Sequence, residues 1–328
     1  MAKEKIVSLV AGGAGFIGVN LSRKLIQLGQ TVVIGDNLSL GTRENISKWI
    51  SADFTNFLDV DISCEKGVEK LFDFAIQQYG HIDRIWHLAA NSDIPSGVED
   101  PCVDLKDTFM TTFWLLAACK RHGVKKFNFA SSSAVYGDWG ESPLTESLGP
   151  LTPISNYGAM KLASEAQICA ARESFLDEAN IFRFPNVVGV PATHGVILDF
   201  IKKLHEDRAS LHVLGDGSQR KSYLHVRELV SAMIHVVENH INDKKLEIVN
   251  VGCDDDGILV RDIAEIVVSL CAPEAEIIYG LGRRGWVGDV PKFSYDISRL
   301  RALGWTPDYS SREAVVMAAK EIYSQLSE

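Results

Sequence analysis

Val7-Ser8-Leu9-Val10-Ala11-Gly12-Gly13-Ala14-Gly15-Phe16-Ile17-Gly18-Val19-Asn20-Leu21 is the stretch whose reading decides the fold. An apolar run from Ile6 to Val10 has strand character, and a helical pattern follows the glycines through Leu28. The physical content is a parallel strand that turns sharply into a helix. Glycine lets the backbone bend and lets a phosphate come close. The first helical N–H groups, with the positive end of the helix dipole, then hold the anion. Gly12, Gly15 and Gly18 are spaced Gly-x-x-Gly-x-x-Gly, one residue longer in the first gap than the Gly-x-Gly-x-x-Gly fingerprint. Taken alone, such a triplet also fits a bland tight turn.

The next strand decides between the two. After Gly29 it runs from Thr31 to Gly35 and closes on Asp36, 18 residues beyond Gly18. A carboxylate at that distance grips the 2′-hydroxyl of an adenosine ribose and repels a 2′-phosphate, which favours NAD over NADP. The expectation is a Rossmann domain at the N-terminus.

The 328 residues suffice for one large domain or two unequal ones, and 46% hydrophobic with 23% charged residues is ordinary for a soluble globular chain. A formal net charge of −10 argues against a nucleic-acid partner, while leaving room for a local basic pocket. No apolar run approaches the ~20 residues that span a bilayer. The opening MAKEKIVSLV leads directly into a strand, so the expectation is a cytoplasmic protein with no membrane partner. Cys64, Cys102, Cys119, Cys169, Cys253 and Cys271 lack C-x-x-C spacing. Several lie in apolar patterns, which suggests buried free thiols and no metal site.

Strands and helices alternate through the first half, the mark of a doubly wound parallel sheet. Strands are expected at Phe57–Ile62, Arg84–Ala90, Lys125–Ser131 and Ile181–Val188, and helices at Glu65–Tyr79, Asp107–His122 and Asn156–Phe175. The helix at Asp107–His122 carries so much apolar surface that burial on two sides is expected, against the sheet and against a partner subunit. Beyond Val188 the alternation becomes less regular. Helices are expected at Gly195–Arg208, Val226–Asn239, Val260–Leu270, Asp296–Leu303 and Ser311–Leu326, a strand at Glu247–Gly252, and a glycine-rich loop at Gly280–Gly288. The fold class is therefore α/β, a doubly wound parallel sheet with a smaller C-terminal substrate-binding lobe. Its dinucleotide domain is expected at residues 1–187 with about 223–252, and the lobe at about 188–222 with 253–328.

Tyr157 and Lys161 are spaced i, i+4, on one helix face. The chemical reading is that the lysine ammonium lowers the tyrosine pKa. A free tyrosine titrates near 10, so a base useful at neutral pH needs roughly 4 kcal/mol from that ammonium and from a nicotinamide cation. The plain alternative is a lysine packed past an aromatic ring. Ser131, Ser132 and Ser133 end a strand at the catalytic edge of the sheet, where a hydroxyl can relay a proton or hold the oxygen being oxidised; strand-end turn chemistry is the alternative.

VAGGAGFIG, Asp36-Asn37-Leu38, His87-Leu88-Ala89-Ala90, SSSAVYG, Tyr157-x-x-x-Lys161, Asn186 in FRFPNVVG and GDGSQRKSYLHV together resemble the extended short-chain dehydrogenase/reductases. Within them the chain is similar to nucleotide-sugar epimerases of the UDP-glucose 4-epimerase type. The resemblance covers nearly the whole chain, in order. It implies that Gly12, Gly15, Phe16 and Ile17 line the pyrophosphate of NAD, that Asp36 and Asn37 hold the adenosine ribose, and that Asp61 and Ile62 meet the adenine. Leu88, Ala89 and Ala90 would flank the dinucleotide, with Pro185 also on the cofactor side. Lys161 would hold the nicotinamide ribose, Tyr157 would be the base and Ser132 the catalytic hydroxyl. Ser133, Asn186, Val213, Arg220, Lys221, Arg284 and Asp289 join Ser132 as expected substrate contacts.

The two positions after Ser132 discriminate among reactions. Related 4,6-dehydratases carry Asp-Glu there and related decarboxylases a Glu in the second place, whereas this chain has Ser133 and Ala134. That leaves redox-neutral 4-epimerisation of a nucleotide sugar, a UDP-sugar by resemblance, as the simplest chemistry. A nucleotide-sugar oxidoreductase, or epimerisation at another carbon, would use the same residues. A non-catalytic NAD sensor has no use for the full Ser132, Tyr157 and Lys161 set.

Three departures from the family pattern stand out. An asparagine usual in the helix after the fourth strand reads Thr108. The Gln-x-Arg-Asp usual after GDG reads Gln219-Arg220-Lys221-Ser222, leaving Arg220 or Lys221 as the diphosphate cation. The C-terminal Arg-x-Gly-Asp is stretched to Arg283-Arg284-Gly285-Trp286-Val287-Gly288-Asp289, favouring Arg284 with Arg283 as the alternative. Phe293 falls near the position that limits bulk at the sugar. The resemblance further implies a homodimer joined through the helices at Asp107–His122 and Asn156–Phe175.

Overall fold

The computed structural model describes residues 5–239, 246–282, 290 and 292–327. Its first element, β1 (Val7–Ala11), is buried at every position and turns through the glycines into α1 (Phe16–Gln27). There follow β2 (Thr31–Asp36), α2 (Arg43–Trp49), β3 (Phe57–Asp59), α3 (Glu65–Tyr79) and β4 (Arg84–His87). After β4 come α4 (Ile94–Glu99), α5 (Pro101–Asp104), a π-helical stretch at Leu105–Met110, α6 (Thr111–His122), β5 (Lys126–Ala130), α7 (Asn156–Ser174) and β6 (Glu178–Arg183).

β1 pairs in parallel with β2 on one side and β4 on the other, β2 with β3, β4 with β5, and β5 with β6. The strand order therefore reverses between β1 and β4, the place where open α/β sheets bind their ligands. Leu9, Val33, Leu71, Phe72, Ile85, Leu115, Phe127 and Ile181 form the core on one face of this sheet. Near-continuous apolar strands are what a sheet covered on both faces requires.

The remaining elements are β7 (Asn186–Val188), α8 (Val196–Glu206), β8 (Ser210–Val213), β9 (Arg220–Lys221), β10 (Tyr223–His225), α9 (Val226–Glu238), β11 (Leu246–Asn250), β12 (Ile258–Leu259), α10 (Val260–Cys271), β13 (Glu276–Tyr279), α11 (Ser298–Ala302) and α12 (Ser311–Ser327). β11 returns to the large sheet as its seventh strand, beside β6. The others make two-stranded sheets, with β7 parallel to β10, β8 parallel to β13 and β9 antiparallel to β12.

The chain divides into two units. One comprises Met1–Val135, Pro153–Arg183 and Val237–Ile248, the other Tyr136–Thr152, Phe184–Val236 and Val249–Glu328. Residues 136–152, 184–187, 223–236 and 249–252, read from sequence as part of the dinucleotide domain, thus pack with the second unit. The cause is polar. The buried Tyr136 hydroxyl donates to Asn250 Oδ1 at 2.7 Å, and Asn250 Nδ2 donates to the Leu144 carbonyl at 2.7 Å. β10 likewise takes its ladder from β7.

Several expected elements run differently. The strand expected at Ile181–Val188 is two strands, interrupted at Phe184 and Pro185; Pro185 has no N–H to donate. β4 stops at His87, leaving Leu88–Ala90 as loop, and β3 stops at Asp59, short of Asp61 and Ile62. The helix expected from Asp107 is π-helical through Met110, and the Thr111 hydroxyl donates to the Thr108 carbonyl at 3.0 Å within that looser turn.

All six cysteines are free; Cys119, Cys253 and Cys271 are buried, whereas Cys64 and Cys102 are exposed. Among the described residues no helix is long and apolar enough to cross a membrane, and no cluster of His, Cys, Asp or Glu could hold a metal ion.

Candidate active site

The carboxyl ends of β1 and β4 are packed against each other through Gly12. It leaves β1 at φ +80°, and a Cβ there would stand 2.5 Å from the Ala89 amide nitrogen. The Leu88 and Ala89 amides both donate to the Ala11 carbonyl, at 2.9 and 3.0 Å. Gly18 is held by the same turn, because a Cβ on it would collide with the Gly12 carbonyl.

Gly15 is different. A Cβ on it would come no nearer than 3.5 Å to the Gly12 carbonyl oxygen, an ordinary contact. Nothing inside the chain demands a glycine there. Gly15 is the N-cap of α1 without any side-chain capping bond, and the first turn carries no acid. Phe16 and Ile17, the first two helical residues, are only partly covered. This is a cradle that a side chain would fill, with unclaimed N–H donors at its floor, and a dinucleotide pyrophosphate fits it.

At the end of β2 the nearly buried Asp36 accepts the Ala14 amide on Oδ2 at 3.0 Å and the Leu38 amide on Oδ1 at 2.8 Å. Burial pushes its carboxyl above the usual range, against the pull of those two amides. Lone pairs remain for a ribose hydroxyl. Leu38 is held at φ +59°, a left-handed conformation unusual for leucine, and Asn37 beside it is exposed. Asp61 accepts the Ser63 amide at 2.9 Å and pairs with Lys106 at 3.2 Å, while Ile62 is buried. Burial raises the Asp61 carboxyl, but the Ser63 and Lys106 bonds outweigh it and leave it below the ordinary value. Gly12, Gly15, Phe16, Ile17, Asp36, Asn37, Asp61, Ile62 and Leu88–Ala90 thus all fall in the first unit, on strand ends, the loops that leave them or the first turn of α1.

Thr108, which replaces the usual asparagine, is fully buried and accepts the Asn91 amide at 3.1 Å, fixing the loop that leaves β4. Asn91 Nδ2 donates to Asp104 Oδ1 at 3.0 Å, and Asn156 Nδ2 donates to the Gly97 carbonyl at 2.7 Å. That loop is therefore tied to the start of α7.

α7 opens with Ser155 as N-cap, its hydroxyl accepting the Gly158 amide at 3.1 Å, a bond worth about 1 kcal/mol. The helix approaches the end of β5 closely. A Cβ on Gly158 would lie 3.0 Å from the Ala134 carbonyl carbon and from Pro153 Cβ. Tyr157 faces the Ser132 side chain, whose hydroxyl favours the phenolate. One turn on, Lys161 is 2% exposed and donates to the Ala130 carbonyl at 2.6 Å. Its Nζ lies 4.7 Å from the Phe129 ring centre and 5.7 Å from that of Tyr157. Ser132 Oγ also accepts the Ala134 amide at 3.2 Å, and Ser133 begins a 3₁₀ turn through Val135.

The electrostatics correct one expectation. Burial pushes the Tyr157 phenol up to about 12, Ser132 opposing and Asp104 adding to the rise. Burial also pushes Lys161 down to about 7, against the pull of Glu165 and Asp104. Desolvation acts on both side chains in the direction that removes charge, so the lysine does not lower the tyrosine in the chain alone. Bringing Tyr157 from about 12 to near 7 takes about 7 kcal/mol.

Beyond Lys161 the same helix face carries Glu165, which accepts Arg183 Nε at 3.0 Å and Nη2 at 2.6 Å, and also the Ser131 hydroxyl. Neither Glu165 nor Arg183 stands out in the sequence. The only available signals are a second charge at i+4 from Lys161 on a buried stripe, and an arginine closing the apolar strand Ile181-Phe182.

The expected substrate contacts divide. Asn186 is exposed at the start of β7, Pro185 before it is buried, and Val213 is buried at the end of β8. Arg220 and Lys221 are neighbours on β9 and alternate in exposure: Arg220 is exposed, and Lys221 is 8% exposed. Within the second unit, Arg220, Arg261, Lys292, Phe293, Asp216 and Glu141 line a cavity of about 760 Å³. Phe293 is nearly buried there, edge-on to Tyr295 at 6.0 Å. Arg283, Arg284 and Asp289 lie outside the described residues.

A family model described as NAD dependent epimerase/dehydratase family matches residues 8–252. A putative UDP-glucose 4-epimerase of Methanocaldococcus jannaschii is 30% identical over 312 residues, covering 94% of this chain and 95% of that protein. The crystal structure of a UDP-galactose 4-epimerase matches with a TM-score of 0.84 at 34% identity, over 98% of this chain and 100% of that one. The Thermus thermophilus UDP-glucose 4-epimerase, solved in complex with NAD, matches with a TM-score of 0.82 at 28% identity, over 97% and 99%.

Proposed function

The chain belongs to the NAD dependent epimerase/dehydratase family, and from that premise we propose that it is an NAD-dependent nucleotide-sugar 4-epimerase. The observation that carries the reading is the Tyr157 phenol facing the Ser132 side chain, with Lys161 Nζ 5.7 Å from its ring, in the same unit as the Gly15 cradle and Asp36. When bound, NAD supplies a reversible hydride acceptor for the sugar C4 and a positive charge. Tyr157 takes the proton of the C4 hydroxyl, directly or through Ser132, as the C4 hydrogen leaves as hydride. The 4-keto sugar turns over, and Tyr157 returns the proton to the carbonyl oxygen as the opposite face is reduced. Lys161 holds its place through Ala130 and supplies positive charge beside the phenolate. Gly12, Gly15, Phe16 and Ile17 receive the pyrophosphate, Asp36 and Asn37 the adenosine ribose, Asp61 and Ile62 the adenine, with Leu88–Ala90 and Pro185 along the dinucleotide.

Ser133 and Ala134 follow the catalytic hydroxyl with no carboxyl group. No acid at those positions can expel a 6-hydroxyl, so the keto sugar is simply reduced again. The nucleotide is uridine in this reading, as in the UDP-sugars that name the relatives. Asn186, Val213, a cation of β9 and, outside the described residues, Arg284 and Asp289 are its contacts. The protein works as a homodimer joined through α6 and α7; Leu105 and Phe113 on that side of the first unit are exposed apolar side chains. Light scattering at the mass of a monomer would refute the dimer. Free cysteines fit a reducing cytoplasm.

Because the hydride is returned, NAD is not consumed. Denaturing the purified protein should release close to one equivalent of NAD, and turnover should need none added. A protein that purifies without NAD and consumes NAD(P)H with substrate would instead be a net oxidoreductase.

A further inference from the structure

Three consecutive turns of α7 dock on three consecutive residues at the end of β5. Tyr157 faces Ser132, Lys161 donates to the Ala130 carbonyl, and Glu165 accepts from the Ser131 hydroxyl. Glu165 and Arg183 are 3% and 4% exposed, and their bidentate pair joins α7 to the end of β6 as well. Glu165 Oε1 accepts both Ser131 Oγ and Arg183 Nε, and Oε2 accepts Arg183 Nη2.

A buried ion pair is a poor device for stability, since apolar residues of similar volume fill such a place as well or better. This one has a third partner. The Ser131 hydroxyl is fully buried and precedes the catalytic Ser132, so the carboxylate that neutralises Arg183 also fixes where the strand releases Ser132. We propose that Glu165 and Arg183 are positioning residues that set the Ser132–Tyr157–Lys161 geometry from behind, with Glu165 also placing a negative charge opposite Lys161. The proposal rests on the 4-epimerase reading for the chemistry it serves.

The charges around Lys161 make the expected direction definite. Glu165 on its own helix and Asp104 on α5 favour the ammonium. His87 on β4 is fully buried and kept neutral, by desolvation first and by Lys161 second. Tyr157 is protonated in the chain alone. Arg183 on β6 is the other cation, and Glu165 stands against it. Replacing Glu165 by glutamine removes one negative charge and uncovers a second positive one, so Lys161 loses its proton at lower pH.

The test compares wild type, Glu165→Gln, Glu165→Asp and the double variant Glu165→Met/Arg183→Met on UDP-glucose. The double variant leaves no buried charge unpaired and is the control for folding. Expected are a kcat at least tenfold lower in Glu165→Gln and in the double variant, with KM within threefold of wild type. In Glu165→Gln the alkaline limb of kcat should also move down by at least one pH unit, and Glu165→Asp should recover part of the rate. A folded double variant with the kcat of wild type would overturn the proposal. Wild-type protein inert toward every nucleotide sugar would instead sink the 4-epimerase reading. In that event the proposal is read directly, by NMR of ε-¹³C-labelled lysine with the signal assigned through Lys161→Met. A Lys161 titration unchanged in Glu165→Gln contradicts it, and one lowered by a pH unit or more supports it.

Discussion

Lys161 Nζ donates to the Ala130 carbonyl at 2.6 Å, so Lys161 is anchored to the strand that presents Ser132. It is anchored at a cost, because burial brings its pKa from the ordinary 10.5 down to about 7. Between those values the unfolded chain holds a proton that the folded chain has released, so stability rises with pH across about 7 to 10.5. Protein stripped of dinucleotide should therefore gain stability from pH 7 to 9 relative to Lys161→Met, which lacks the group. Urea midpoints for the two that run parallel over this range would contradict the burial of the ammonium. The variant should also be at least a hundredfold slower.

The glycines of the first turn should separate by substitution. Gly12→Ala forces a Cβ against Ala89 and a strained φ, so it should lower the thermal midpoint by several degrees. Gly15→Ala meets only an ordinary contact within the chain and should leave stability nearly unchanged. It should instead purify with little NAD. Equal NAD content in Gly15→Ala and wild type would remove the pyrophosphate from that cradle.

Legibility in the sequence depends on how local each feature is. Gly12, Gly18 and Asp36 can be placed by spacing, because a strand-to-helix turn and the next strand end have fixed lengths. Tyr157 and Lys161 can be paired because a helix face repeats every 3.6 residues. Strands β9 and β12 cannot be found, since two residues show no periodicity. The division of Tyr136–Thr152 from the strand before it depends on Asn250, which lies more than a hundred residues away. The Glu165–Arg183 pair is long-range in the same sense, joining residues that each read as ordinary surface charges. The tyrosine shift runs opposite to the expectation from spacing, because spacing conveys proximity and says nothing of desolvation.

Tyr136 offers a measure of that long-range bond. Its hydroxyl and Asn250 Oδ1 are buried together at 2.7 Å. Tyr136→Phe leaves the amide oxygen without this donor and should cost about 1–3 kcal/mol in a urea titration. A change below about 0.5 kcal/mol would show that the bond does not hold the segment.

Tyr157→Phe should fold normally, retain bound NAD and lose turnover by a factor of a thousand or more. The phenyl ring fills the same space, and only the hydroxyl that faces Ser132 is gone. An active Tyr157→Phe enzyme would place the base elsewhere.

The most direct measurement is to incubate the purified protein, with no cofactor added, with UDP-glucose, UDP-glucuronate and UDP-N-acetylglucosamine in turn, following the anomeric protons by NMR. Conversion of one of them to its 4-epimer, without loss of water or CO₂, is the predicted result. No 4-epimer from any of the three, or turnover that starts only when NAD(P)H is supplied, would contradict the reading of Ser132, Tyr157 and Lys161 as the centre of a self-contained 4-epimerase.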